Sequence, residues 1–145
     1  MNKEYLNILL VDDAEENIEL FKNIFNESKV GVKLLAFQDS NEFFEHLDND
    51  ETLAPEIIFI NYDIFKNDLL YEIKKRENLY KVITVIYSEK ISDDEIDDFF
   101  VNNGNVSIKR TENESAFKKK VSEVITVNWQ YYTSGLNMDN FILKI

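Results

Sequence analysis

The 145-residue sequence contains no cysteine, which excludes disulfides, thiolate chemistry and zinc–thiolate sites. Proline occurs once and glycine three times, so no Pro/Gly-rich linker or low-complexity tract divides the chain. The one histidine, His46, cannot build a metal site by itself. It stands beside Phe43 and Phe44 in a helical pattern and reads as a partly exposed structural residue. No apolar run approaches the roughly 20 residues of a membrane helix, and Met1 is followed by the polar Asn2-Lys3-Glu4, not by an apolar leader. Cationic residues are in deficit: 16 Lys and Arg face 28 Asp and Glu, a net charge of −12. That excess repels a nucleic-acid backbone and an anionic lipid surface. A soluble, cytoplasmic protein that binds neither is expected.

What is present is a globular pattern. With 44% hydrophobic residues, a chain of this length can bury one sizeable core. Short apolar runs alternate with segments of helical period. Strands are expected at Tyr5–Val11, Val32–Phe37, Glu56–Ile60, Val82–Tyr87 and Val106–Ile108. Helices are expected at Ala14–Ser28, at Ser40–Leu47 with Ser40 as cap, at Asp68–Asn78, after a Ser92 cap, and at Asn113–Val127. Gly31 marks the break after the first helix. Five β-then-α units imply an α/β fold: a doubly wound, flavodoxin-like, five-stranded parallel sheet with right-handed crossovers. This domain is expected over residues 1–128. Residues 129–145, with Trp129 and the apolar strip Phe141-Ile142-Leu143, read as a tail packed back on it.

In such folds sites form at the carboxyl ends of the strands. The residues there are Asp12-Asp13, Asn61, Ser88 and Lys109-Arg110. Two adjacent carboxylates suit a hard cation such as Mg²⁺. A hydroxyl and a cation at the later strand ends suit phosphoryl oxygens as charge develops. Each residue also has a plainer reading. Asp12-Asp13 can cap a helix, Asn61 can serve a strand-end turn, Ser88 can be a loop hydroxyl, and Lys109-Arg110 can be surface charge. Lys118-Lys119-Lys120 reads as a solvated helix face.

Taken in order, Ile8-Leu9-Leu10-Val11-Asp12-Asp13 with Asn17, Pro55-Glu56-Ile57-Ile58-Phe59-Ile60-Asn61, Val85-Ile86-Tyr87-Ser88 and Asn103-Gly104-Asn105 resemble the response-regulator receiver domain. The resemblance covers residues 5 to about 128. The ending, with Trp129 and Asp139-Asn140-Phe141-Ile142-Leu143, resembles stand-alone, phytochrome-associated receivers. By that resemblance Asp12 and Asp13 match the metal-binding acids, and Asp63 the position whose carbonyl helps hold metal. Asn61 matches the phosphoacceptor aspartate, Ser88 the phosphoryl-following hydroxyl, and Ser107 the switch aromatic. Residue type points to Lys109 for the family lysine; the register from Ser88, with Asn105 and Ile108 alongside, points to Arg110.

The departures cluster at the site. Asn61 replaces the acceptor, Ile64-Phe65 the usual Met-Pro, Leu69 a turn glycine, Arg110-Thr111 the Lys-Pro, and Ser107 the aromatic. The resemblance then implies a pseudo-receiver with weakened Mg²⁺ binding and no enzymatic activity. It would act on a histidine kinase or another receiver, with a homodimer through the fourth and fifth helices. Two other readings remain. One is a phosphorylatable receiver using another acid, with Asp63 nearest. The other is a haloacid-dehalogenase-like phosphatase, although that family wants Asp-x-Asp where this chain has Asp12-Asp13-Ala14.

Overall fold

The computed structural model describes residues 4–49, 51, 54–79, 81–134 and 141–145. The unbroken apolar runs become strands covered on both faces, as side chains that alternate between two cores require. Strands β1 (Leu6–Val11), β3 (Ile57–Asn61) and β4 (Ile83–Ser88) are almost wholly buried. Strands β2 (Val32–Phe37), β5 (Val106–Lys109) and β6 (Leu143–Lys144) complete one parallel sheet in the order β2-β1-β3-β4-β5-β6.

Helices lie on both faces. On one, α1 (Glu15–Asn26) and α6 (Glu114–Ser134) press Ile18, Phe21, Ile24, Phe25, Phe117, Val121, Val124 and Ile125 onto the even-numbered side chains of β1 and β5 and the odd-numbered side chains of β3 and β4. On the other, α2 (Ser40–Leu47), α4 (Asp68–Lys74) and α5 (Asp93–Val101) bring Phe43, Leu47, Leu69, Leu70, Ile73 and Phe99 against Leu9, Val11, Ile58, Ile60 and Ile86. A four-residue helix, α3 (Tyr62–Phe65), links β3 to the second face.

Local chemistry moves several expected boundaries. The cap of α2 is Asp39, whose side chain accepts from the Asn41 N–H at 2.6 Å, not Ser40. Ser92 does cap α5, in a reciprocal box with Glu95. Helix α1 stops at Asn26. Gly31 instead allows β2 to pass close to the entry of β1, where a Cβ would lie 2.6 Å from the Glu4 carbonyl. The expected helix from Asp68 to Asn78 ends at Lys74 and is followed by a 3-10 turn, Glu77–Leu79.

The C-terminal part differs most from the sequence reading. Helix α6 passes straight through the expected boundary at 128 and ends at Ser134, because Trp129 and Tyr132 continue its apolar stripe onto the core. The expected five strands become six. In β6, the Leu143 N–H donates to the Asn105 carbonyl at 2.8 Å, and the Ile145 N–H to the Ser107 carbonyl at 2.9 Å. Phe141, Leu143 and Ile145 face the core while Ile142 is exposed, a strand's period of two. The Asn105 side chain braces this edge, accepting from Thr84 and donating to the Phe141 carbonyl at 3.0 Å.

Candidate functional site

Side-chain alternation carries the first core row past the strand ends. Leu6, Ile8 and Leu10 lead to Asp12; Ile57 and Phe59 lead to Asn61; Ile83 and Val85 lead to Tyr87; Val106 and Ile108 lead to Arg110. Register aligns these rows, with Asn61 opposite Tyr87 and Tyr87 opposite Ile108. Phe21 of α1 supports the row from beneath, its ring 5.2 Å from Tyr87 and 5.3 Å from Phe59.

Asp12 is fully buried, so its carboxylate needs internal partners. It has four. The Ala14 N–H donates to Oδ1 at 2.9 Å. The Asn17 amide, the Asn61 amide and the Tyr87 hydroxyl donate to Oδ2 at 2.9, 3.0 and 2.6 Å. Burial, the charge of Asp12 and the hydrogen bond to it push the Tyr87 phenol well above its ordinary range, against an opposing pull from Arg110. Arg110 is held one step further out. Its guanidinium donates to Asn17 Oδ1 at 2.9 Å and lies 4.8 Å from the Phe117 ring centroid.

Asn61 has two tasks. Its amide N–H2 faces Asp12, and its Oδ1 accepts from the Asp63 N–H at 3.0 Å, capping α3. That cap sets the direction of Asp63. The Ser88 hydroxyl donates to Asp63 Oδ1, and the Glu89 N–H donates to Asp63 Oδ2 at 3.0 Å. Ser88 Oγ in turn accepts from the N–H groups of Lys90 and Ile91 at 3.1 and 2.9 Å. An open depression of about 420 Å³ lies above, lined by Asn17, Asn61, Asp63, Tyr87, Ser88 and Arg110 with Glu16, Glu89 and Glu114 at its rim.

The structure therefore brings Asp12, Asn61, Asp63, Ser88 and Arg110 together. Asp13 is exposed beside them, and its charge reaches the Tyr87 phenol. Two expected residues lie outside. Lys109 points to solvent, and its carbonyl accepts from the Lys120 ammonium at 3.1 Å. Ser107 is buried on the opposite row, paired with Ile86. Tyr87 and Asn17 are the members the site reading missed. The signal for Tyr87 was its parity with Val85 and Ile83.

These residues do not fit a divalent cation as arranged. Mg²⁺ needs several oxygen ligands in near-octahedral array. Asp12 Oδ2 is taken by three protein donors and Oδ1 by one, Asn61 turns a nitrogen toward them, and Asp13 is exposed to solvent. Among the described residues no three His, Cys, Asp or Glu gather as a metal set.

No family model matches the chain, and no curated protein matches it in sequence. Solved structures do match. The phosphorylated cyanobacterial phytochrome response regulator RcpA superimposes with a TM-score of 0.75 at 21% identity, over 92% of this chain and 97% of that one. The Mn²⁺-bound form of the response regulator Rcp1 gives 0.73 at 19% identity, over 82% and 91%. Response regulator RPA3017, in red light signaling of R. palustris, gives 0.73 at 10%, over 91% and 96%. The chain has the receiver fold. The sheet order β2-β1-β3-β4-β5 is the doubly wound order 2-1-3-4-5, and β6 extends the sheet at the β5 edge. Among the described residues, no helix of this receiver fold is long and apolar enough to cross a membrane.

Proposed function

We propose that the chain is a pseudo-receiver of bacterial two-component signalling, acting in the cytoplasm by binding protein partners and not as an enzyme. The observation that carries this is the hydrogen bond from the Asn61 amide to Asp12 at the end of β3. An amide has no ionised oxygen to attack phosphorus, so an acyl phosphate cannot form there. Its N–H2 also supplies Asp12 with a donor that a carboxylate at 61 could not. The fold shared with RcpA, Rcp1 and RPA3017 supports a histidine kinase or another receiver as the partner. The receiver resemblance adds a homodimer through α5 and α6, the helices that follow β4 and β5.

The test is incubation with acetyl phosphate and Mg²⁺, followed by intact-mass measurement. The expected spectrum is unchanged. A stable gain of about 80 Da, one phosphoryl group, would overturn the reading. Its mapping to Asp63 would establish a receiver with a displaced acceptor. Turnover of a small aryl phosphate would instead establish a phosphatase.

A further inference from the structure

We propose that Asp63 is a built-in anion that takes the place of a phosphoryl group at the β4–α5 loop, holding that loop in its anion-engaged form without modification. The inference deepens the pseudo-receiver reading and rests on it for the role of Ser88.

The geometry is that of an oxyanion held by two donors. One Asp63 oxygen accepts from the Ser88 hydroxyl, and the other accepts from the next backbone N–H, that of Glu89, at 3.0 Å. These are a hydroxyl and an adjacent amide converging from one loop, a donor pair suited to any anion with two exposed oxygens. The Ser88 hydroxyl has one proton, and it is committed to Asp63. Its oxygen is committed to the N–H groups of Lys90 and Ile91. The whole turn from Ser88 to Ile91 is therefore organised around one carboxylate. Ser88 itself is 1% exposed, so a competing water cannot easily replace this bond.

The carboxylate is held in place from its other side. The Asn61 side chain fixes the Asp63 backbone through the cap of α3. Tyr62, the first residue of α3, donates to Glu95 of α5 at 2.8 Å. Helix α3, the loop and α5 are thus one connected unit, with Asp63 at its centre. A second anion entering the depression would meet Asp63, Glu16, Glu89 and Glu114 with Arg110 facing them, and like charges at such range repel. The internal anion both engages the loop and excludes an external one.

Amide hydrogen exchange by NMR on the full chain tests this. In the native protein the Glu89, Lys90 and Ile91 amides are expected to be protected and indifferent to millimolar inorganic phosphate. In Asp63→Ala, the Glu89 amide is expected to exchange at least tenfold faster, Lys90 and Ile91 to follow, and the central strands to be unchanged. Inorganic phosphate should then restore Glu89 protection in the variant, because the vacated donor pair accepts it. The isosteric Asp63→Asn, whose N–H2 must face one of the two donors, is expected to release the loop in the same direction and serves if the alanine variant does not fold. Unchanged Glu89 protection in the variants, or a variant loop that phosphate does not restore, overturns the proposal. Exchange reads the Asp63–Ser88–Glu89 link, and mass reads acceptor chemistry, so the two readings fail separately.

Discussion

Four donors converge on one buried carboxylate, and the Tyr87 hydroxyl, at 2.6 Å, makes the shortest of the four bonds to Asp12. A hydrogen bond to a charged group contributes about 1.5–3 kcal/mol. Tyr87→Phe is expected to lose a figure of that order in urea unfolding at pH 7, with the fold retained. The pH dependence has a definite sign. The folded phenol titrates above its unfolded value near 10, so its contribution is complete below that value and is lost as the pH rises beyond it. Wild-type stability should therefore fall as the pH rises above about 10, and more steeply than that of Tyr87→Phe, as thermal melts on the alkaline side would show. A parallel fall in both would remove Tyr87 from the account. At this scale Asp12 and Asn61 were legible because each closes an apolar run with a polar group. Tyr87 was not, since a tyrosine in a strand reads as core until its partner row is known. The choice between Lys109 and Arg110 came down to parity, and Arg110 shares the row of Asp12, Asn61 and Tyr87.

At the scale of elements, patterns of period two and 3.6 gave five strands and the principal helices, because each buries a continuous apolar face. Elements held by side-chain hydrogen bonds were not legible in that way. Helix α3 exists through the Asn61 cap and stops at Lys66, whose φ is 53°. Strand β6 is two residues long and depends on Asn105, which spans from Thr84 to the Phe141 carbonyl. Asn105→Ala removes those side-chain bonds and leaves the Thr84 N–H without its partner. The expected cost is roughly 1–3 kcal/mol, accompanied by faster amide exchange at Leu143 and Ile145. Loss of stability with β6 exchange unchanged would show that the strand stands without this brace.

At the scale of the whole molecule, a net charge of −12 is a repulsion spread over the surface that folding must overcome. Raising sodium chloride from 0.05 to 0.5 M shortens the reach of that repulsion. It is expected to raise Tm by about 2–4 °C, equivalent to roughly 1 kcal/mol for a chain of this size. A Tm that falls with salt would show that local ion pairs such as Arg76–Asp48 outweigh the global field. The ring of donors around Asp12 has a further consequence, for the history of the sequence. Asn61→Asp alone would set two carboxylates together before any cation could be held, because Tyr87 and Asn17 would still occupy the first of them. An uncompensated buried charge costs several kcal/mol, so that single change leads to a less stable protein. On the proposed reading the closure acts as a ratchet: once formed, it makes the loss of phosphorylation hard to reverse.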